Sequence, residues 1–471
     1  LFLDPAFVRD AHGTALRVNR PEQRQLVIRP DRPWEKLMIT FFLTVLDEPS
    51  HDGGGKLRMW YICRDADNQP NVAYAESDDG IEWRKPNLGI VDYHGSTDNN
   101  LVGIPYLEGV VFRDPNGSGE QTYVYVTNVE AEGVVRYYSP DGLHWKRDAE
   151  PLLKFRPDTQ NVTYWDERLG KYVLFLRAWD ISDKWEDRLR TTMRLELNDL
   201  RAPTGIVTSG RGVNPTKKND LPRLSDELPV VFRCDDRDPP NCDVYNMSCI
   251  RYPLDRRWLV GFPSFLHREN NISDGRVETQ FAASSDSGVT WHRYDRAVYV
   301  GPQLIDTESA NMSYMGTGMA VRGDELWQYG TEYRTRHGDF AGRKLKTDGS
   351  IYRYVQRVDG FVSLDFDALD AGCTTGVVTI DGERLLLNVD TAALGTLRVG
   401  LLDESNKPLE GYELDNCMPV RTNATGAVVT WKKTKAVSSL TGKKVKLALS
   451  GTRAKLYSFR FEQSSKSDAK N

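Results

Sequence analysis

Carboxylates recur along this chain, each just ahead of a run that reads as a β-strand. PDRPWE supplies Asp31, Arg32, Trp34 and Glu35. STDNN supplies Asp98, Asn99 and Asn100, with Glu108 on the strand that follows. PDTQN supplies Asp158, Gln160 and Asn161, NCDVYN supplies Asp243 and Tyr245, and DTESANMSY supplies Glu308, Asn311 and Tyr314. Hydrolysis of a glycosidic bond needs one acid to protonate the leaving oxygen and a second carboxylate as base or nucleophile. Amide and aromatic side chains beside such acids suit sugar hydroxyls and ring faces. An Asp ahead of a strand is also an ordinary turn or cap residue, so the reading rests on the set rather than on any one position.

Other chemistries find less support. Seven histidines are scattered without an i, i+4 pair or a ligand cluster. His267 and His337 follow hairpins and can line a mouth formed by the strand starts, where His337 reads as a substrate contact. There is no G-x-S-x-G, and Asp52–Lys56 (DGGGK) lies between strands instead of opening a helix, so no phosphate cradle is implied. No organic cofactor or metal is implied, and no loop signature supports a calcium site. Arg113–Gly117 (RDPNG) falls between two strands, where Asp-Pro-Asn-Gly is a strong turn sequence.

The elements that must position these groups are strands. Short alternating or β-branched runs such as QTYVYVT and KYVLFLR are punctuated by Gly, Pro, Asn and Asp, the signature of an all-β chain. SDDGIEW (77–83), SPDGLHW (139–145) and SSDSGVTW (284–291) repeat one turn, in which Asp and Gly reverse the chain and Trp packs it down. The third copy has the form of the Asp-box of sialidases and other propellers. Repeat spacing and five apolar hairpins predict a five-bladed β-propeller over residues 30–355, with 1–29 an N-terminal extension packed on it. Residues 356–463 carry evenly spaced strands and predict a β-sandwich accessory domain, and Ser464–Asn471 reads as a disordered tail.

The chain has 471 residues, 39% hydrophobic and 27% charged, with a net charge of −5. That is enough for a sizeable core and excludes a basic nucleic-acid footprint. No apolar run is long enough for membrane insertion as a helix. A start at Leu1, six cysteines and six N-x-[ST] sequons, at Asn116, Asn161, Asn246, Asn271, Asn311 and Asn423, point to a secreted or periplasmic protein.

With these motifs in hand, the chain resembles the five-bladed propeller proteins of glycoside hydrolase families 32 and 43, most closely the family-32-like proteins of planctomycetes. The resemblance is carried by DRPWE (31–35), SDDGIEWRKPNLG (77–89), DTQNVTYWDERLGKYV (158–173), DVYNMS (243–248), GDELWQY (323–329) and the C-terminal strands. It implies a hydrolase acting on a poly- or oligosaccharide, with Asp31 as base or nucleophile and Asp158 and Asp243 as further axial acids. The family's Glu-Cys pair and its WMNDPNG box are absent, which leaves Glu35 or Glu308 as the general acid. Arg32, Trp34, Asn100, Gln160, Asn161, Tyr245, Glu308, Tyr314 and His337 would then bind carbohydrate. Two rivals remain: a sialidase-like hydrolase using Arg32, Arg177 and Arg334, and a carbohydrate-binding propeller without catalysis.

Overall fold

The structure, a computed structural model, describes residues 1–48, 57–104, 108–129, 132–179, 188–206, 228–303, 309–342, 347–434 and 436–463. It is all-β, and its helical residues are short 3-10 turns such as Pro33–Glu35. Among the described residues no helix is long and apolar enough to cross a membrane. Two compact units are formed. The larger holds Pro21–Trp291 and Val298–Gln356; the smaller holds Leu1–Arg20, His292–Ala297 and the described residues from Arg357 on.

The larger unit is a series of antiparallel meanders. The first sheet runs Met38–Asp47, Leu57–Arg64, Pro70–Ser77, and Leu101 bridges Ala73 at its edge. The second runs Val110–Arg113, Tyr123–Val129, Gly133–Ser139 and Lys146–Arg147, and the third Val162–Asp166, Lys171–Trp179, Arg190–Leu197 and Val230–Phe232. The fourth starts with Cys242–Arg251, Leu259–Arg268 and Gly275–Gln280. The fifth runs Met312–Met315, Glu325–Tyr333, Ser350–Arg357 and finally Gln23–Ile28, a single parallel bridge from Val277 to Met312 joining it to the fourth. First strands neighbour one another in turn. Met38–Asp47 lies against Val110–Arg113, that strand against Val162–Asp166, and Val162–Asp166 against Cys242–Arg251. Met312–Met315 returns to Met38–Asp47. The succession closes on itself, so the beginnings of the first strands converge.

The repeated turn has one geometry in all three copies despite their different lengths. Gly80, Gly142 and Gly288 N each donate to the box serine, Ser77, Ser139 and Ser284, at 2.8 Å. Asp79, Asp141 and Asp286 each accept two backbone N–H groups through Oδ1, and Trp83, Trp145 and Trp291 each donate to the box glycine carbonyl. Each turn docks on the preceding sheet. Tyr329 of the fifth sheet donates to Gly80 O at 3.0 Å, and Trp60 of the first donates to Gly142 O at 2.8 Å. RDPNG forms the expected turn, in which Asn116 N donates to Asp114 Oδ1 at 3.0 Å and Gly117 N to Asp114 O at 3.1 Å.

Residues 1–29 are not one extension on the ring, which corrects the sequence reading. Val8–His12 pairs with Ala371–Thr375 and Thr14–Val18 with Val362–Phe366, both in the smaller unit, while Gln23–Ile28 completes the fifth sheet. Each segment supplies hydrogen bonds to a sheet edge that would otherwise stay open. The smaller unit consists of two antiparallel sheets whose apolar faces, including Leu364, Leu385, Val399, Leu447 and Leu456, share one core. The tail from Ser464 lies outside the described residues.

Candidate functional site

Where the first strands of the larger unit begin, a cavity of about 1120 Å³ opens, lined by Met38, Thr40 and Phe41 of the first sheet and by Asn271, Ser273 and His337. His337 stacks on Phe41 at 5.9 Å and meets Tyr245 edge-on at 4.6 Å. Its Nδ1 donates to Ser273 O at 2.5 Å. Burial, with the Arg190 and Arg177 charges, pushes it down to about 4. It is therefore a neutral imidazole at pH 7, oriented by its bond to Ser273 O.

Glu108, just ahead of Val110–Arg113, is the carboxyl group with the most altered acidity at this end of the ring. Its main-chain O accepts both Asn161 N, at 2.6 Å, and Asn161 Nδ2, at 2.7 Å; its Oε2 accepts Asn128 Nδ2 at 3.1 Å. Burial, helped by the nearby Asp158 carboxylate, pushes Glu108 up to about 7 against the opposing pull of Asn128, Arg177 and Arg156. Asp158 has a left-handed backbone, φ +56°, a conformation costly for a residue with a Cβ. Arg177 Nη1 donates to Asp158 O at 2.7 Å and so holds that conformation. The Asp158 carboxylate is a third exposed and lies 3.6 Å from Arg156 Nη2 and 4.0 Å from Arg177 Nη1. A carboxyl group poised to give up a proton near neutrality thus sits beside a second carboxylate held by guanidinium groups.

The other axial residues frame this pair. Arg177 donates through Nε and Nη2 to Tyr245 O, at 3.0 and 2.6 Å, with its guanidinium 4.4 Å from the Tyr245 ring centre. Asp243 is fully buried, accepting Arg190 Nη1 at 3.0 Å and Arg268. Its place is that of a buried counter-charge to two arginines. Gln160 is buried and accepts Asn246 Nδ2 at 3.2 Å. Tyr314 is fully buried against Phe41, Tyr245 and Tyr333, which makes it a core residue of the ring instead of a sugar contact.

The acids expected from the first sheet stand elsewhere. Glu35 is fully buried and saturated. It accepts Lys85 Nζ at 2.9 and 2.8 Å, Tyr61 OH at 2.7 Å, and Asp31 and Arg32 N at 2.9 and 3.2 Å. A carboxylate so paired caps the Pro33–Glu35 turn, and its oxygens are taken up by protein donors instead of a substrate. Asp31 shares the same ammonium at 2.6 Å and, with Arg32, lines a separate cavity of about 520 Å³ beside Tyr93 and His94. Trp34 Nε1 donates to Asn100 Oδ1 at 3.0 Å, and Asn100 Nδ2 to Tyr74 O at 2.6 Å, so these two buried side chains bind the protein. Asn100 belongs to the edge of the first sheet, where its O accepts Tyr74 N at 2.9 Å, and not to the start of the second. Glu308 lies outside the described residues. The sialidase-like set is not assembled as expected, because the Arg177 guanidinium is spent on the carbonyls of Tyr245 and Asp158.

Sequence reasoning missed Glu108 as a site residue, although LEGVVFR places an acid ahead of a strand in the same way as the other four sets. Starting the second sheet at Val110 would have found it. Arg190 and Asn128 had no signal of their own, since both sit inside strands. Among the described residues no three His, Cys, Asp or Glu side chains gather as metal ligands.

No family model and no curated protein matches the chain. Among solved structures it is similar to an N-acetylgalactosamine deacetylase from F. plautii, solved with a blood group B trisaccharide, at 11% identity and TM-score 0.43 over 74% of this chain and 94% of that one. It is also similar to the family 32 beta-fructofuranosidase of Bombyx mori, at 9% identity and TM-score 0.40 over 95% of this chain and 96% of that one. A third is a family 43 arabinoxylan arabinofuranohydrolase from Bacillus subtilis, solved with cellotetraose, at 10% identity and TM-score 0.36 over 91% of this chain and 96% of that one.

Proposed function

We propose that this chain is a glycoside hydrolase in which the larger unit is a five-bladed propeller and the smaller an accessory β-sandwich. Glu108 protonates the leaving oxygen, and Asp158 activates water or attacks the sugar directly. The observation that carries this reading is the Glu108 carboxyl, pushed up to about 7 by burial with Asp158 beside it. A carboxyl that keeps its proton to near neutrality beside a second carboxylate is the arrangement that acid and base roles require. Phe41 and His337 offer a flat ring surface to a sugar in the cavity. The same reading places the protein outside the cytoplasm, with exposed sequons at Asn116, Asn271 and Asn423 open to glycosylation; those at Asn161 and Asn246 are buried.

The test is incubation of the purified protein with a broad panel of neutral and acidic oligo- and polysaccharides, with released sugars followed by chromatography. Release that Glu108→Gln and Asp158→Asn both abolish supports the assignment and names the substrate. Release untouched by either change removes these residues from the mechanism. Binding without release leaves a carbohydrate-binding protein.

A further inference from the structure

Cys234 and Cys242 stand at the two ends of the connection that carries the chain from Val230–Phe232, the last strand of the third sheet, to Cys242–Arg251, the first of the fourth. Between them the chain doubles back. Asp238 N donates to Asp235 O, Arg237 N to Asp235 Oδ1 and Asp235 N to Asp238 Oδ2, each at 2.9 Å. This turn brings the two thiols within hydrogen-bonding reach of each other, both packed with Phe232, Val244 and Phe265. Cys242 is buried, whereas Cys234 is partly exposed. The other four cysteines are all buried, and Cys249, on the same strand as Cys242, packs in a different cluster with Val110 and Val173.

We propose that Cys234 and Cys242 form a disulfide bond when the protein meets a small-molecule disulfide, clamping the connection immediately ahead of Asp243. The partly exposed Cys234, as its thiolate, attacks one sulfur of the oxidant and expels a thiolate, which takes up a proton. Cys242 then gives up its proton and attacks the Cys234 sulfur of the mixed disulfide, releasing the second thiol. Two electrons pass from the cysteine pair to the oxidant, which leaves as two thiols. Burial and the adjoining Cys234 thiol hold the Cys242 thiol well up, so Cys234 is the residue that attacks first. The bond would close a nine-residue loop and so restrict the unfolded chain, raising the melting temperature by about 2–5 °C. It would also fix the start of the strand whose Asp243 pairs Arg190 and Arg268.

The experiment uses the full chain, incubated with glutathione disulfide, alkylated and digested for peptide mass spectrometry. The expected result is a Cys234–Cys242 cross-linked peptide, loss of two thiols per chain and a higher melting temperature, all reversed by dithiothreitol. Cys234→Ser, at a partly exposed site that tolerates the change, should show neither cross-link nor shift. Cys234 carrying glutathione while Cys242 stays a free thiol, or both remaining thiols, overturns the proposal.

Discussion

Glu108 and His337 are both half-buried ionisable groups with shifted acidities, and they should respond to pH in opposite senses. The folded protein keeps Glu108 protonated up to about 7, while the unfolded chain releases that proton near the ordinary value of 4.5. Between these values the native state binds more protons, so stability falls as pH rises from about 4.5 to 7. Glu108→Gln removes that slope in urea unfolding followed across this range. His337 behaves inversely: its folded value near 4 lies below the usual 6.5, so stability is lost as pH falls from 6.5 towards 4. That loss amounts to about 3 kcal/mol, and His337→Phe should flatten it. In activity, a general acid at Glu108 gives kcat/KM a decline above about pH 7. Glu108→Gln should lower kcat by about 10²–10⁴-fold and abolish that limb of the profile. An unchanged alkaline limb in the variant would assign it to another group.

The repeated turns link one sheet to the next, and their glycines carry the constraint. Gly142 has φ +77°, and a Cβ there would stand 2.8 Å from the Trp60 ring, whose indole N–H already donates to Gly142 O. Gly142→Ala combines a left-handed backbone with a clash against the preceding sheet, and should cost about 2–4 kcal/mol in thermal or urea unfolding. Gly89 has φ +69° with nothing within 4 Å of its would-be Cβ. Gly89→Ala should cost only the backbone term, about 1–2 kcal/mol. Equal effects would show that docking on Trp60 contributes nothing. The turns were legible because Ser, Asp, Gly and Trp must hold a fixed spacing to make these bonds. Strand membership was less so. The alternation that marks a strand does not say which sheet it joins, and Asn100 and Leu101 were read as opening the second sheet when they edge the first. That one displacement led past Glu108. Glu35 was misread for a related reason: an acid ahead of a strand looks the same whether it faces a cavity or, as here, a lysine from a distant loop. Lys85 lies fifty positions away, and no local pattern announces it.

Leu1–Arg20 and the described residues from Arg357 on fold into the smaller unit, so the ring is an insertion between its first two strands and the rest. The ring is closed by Gln23–Ile28, which follows directly on the smaller unit's Thr14–Val18 and pairs with Ser350–Arg357 more than three hundred positions later. Such a closure gains its hydrogen bonds only after the whole insertion has folded, and side chains must secure its register. Arg24 does so. Its Nε donates to Glu332 Oε1 at 2.7 Å, its guanidinium lies 3.9 Å from the centre of the Tyr352 ring, and Tyr354 OH reaches the same carboxylate at 2.6 Å. Glu332 is fully buried. Arg24→Ala would strand a buried carboxylate with one tyrosine hydroxyl, a loss of about 3–5 kcal/mol. Arg17, a few residues earlier, makes its 2.7 Å pair with Asp367 in the open, and Arg17→Ala should change stability by less than about 1 kcal/mol. The double change Arg24→Ala with Glu332→Leu removes the stranded charge together with its partner, and should recover part of the loss. If Arg24→Ala unfolds at the same temperature as the unaltered protein, the closing strand is held by its backbone ladder alone and Arg24 has no part in securing it.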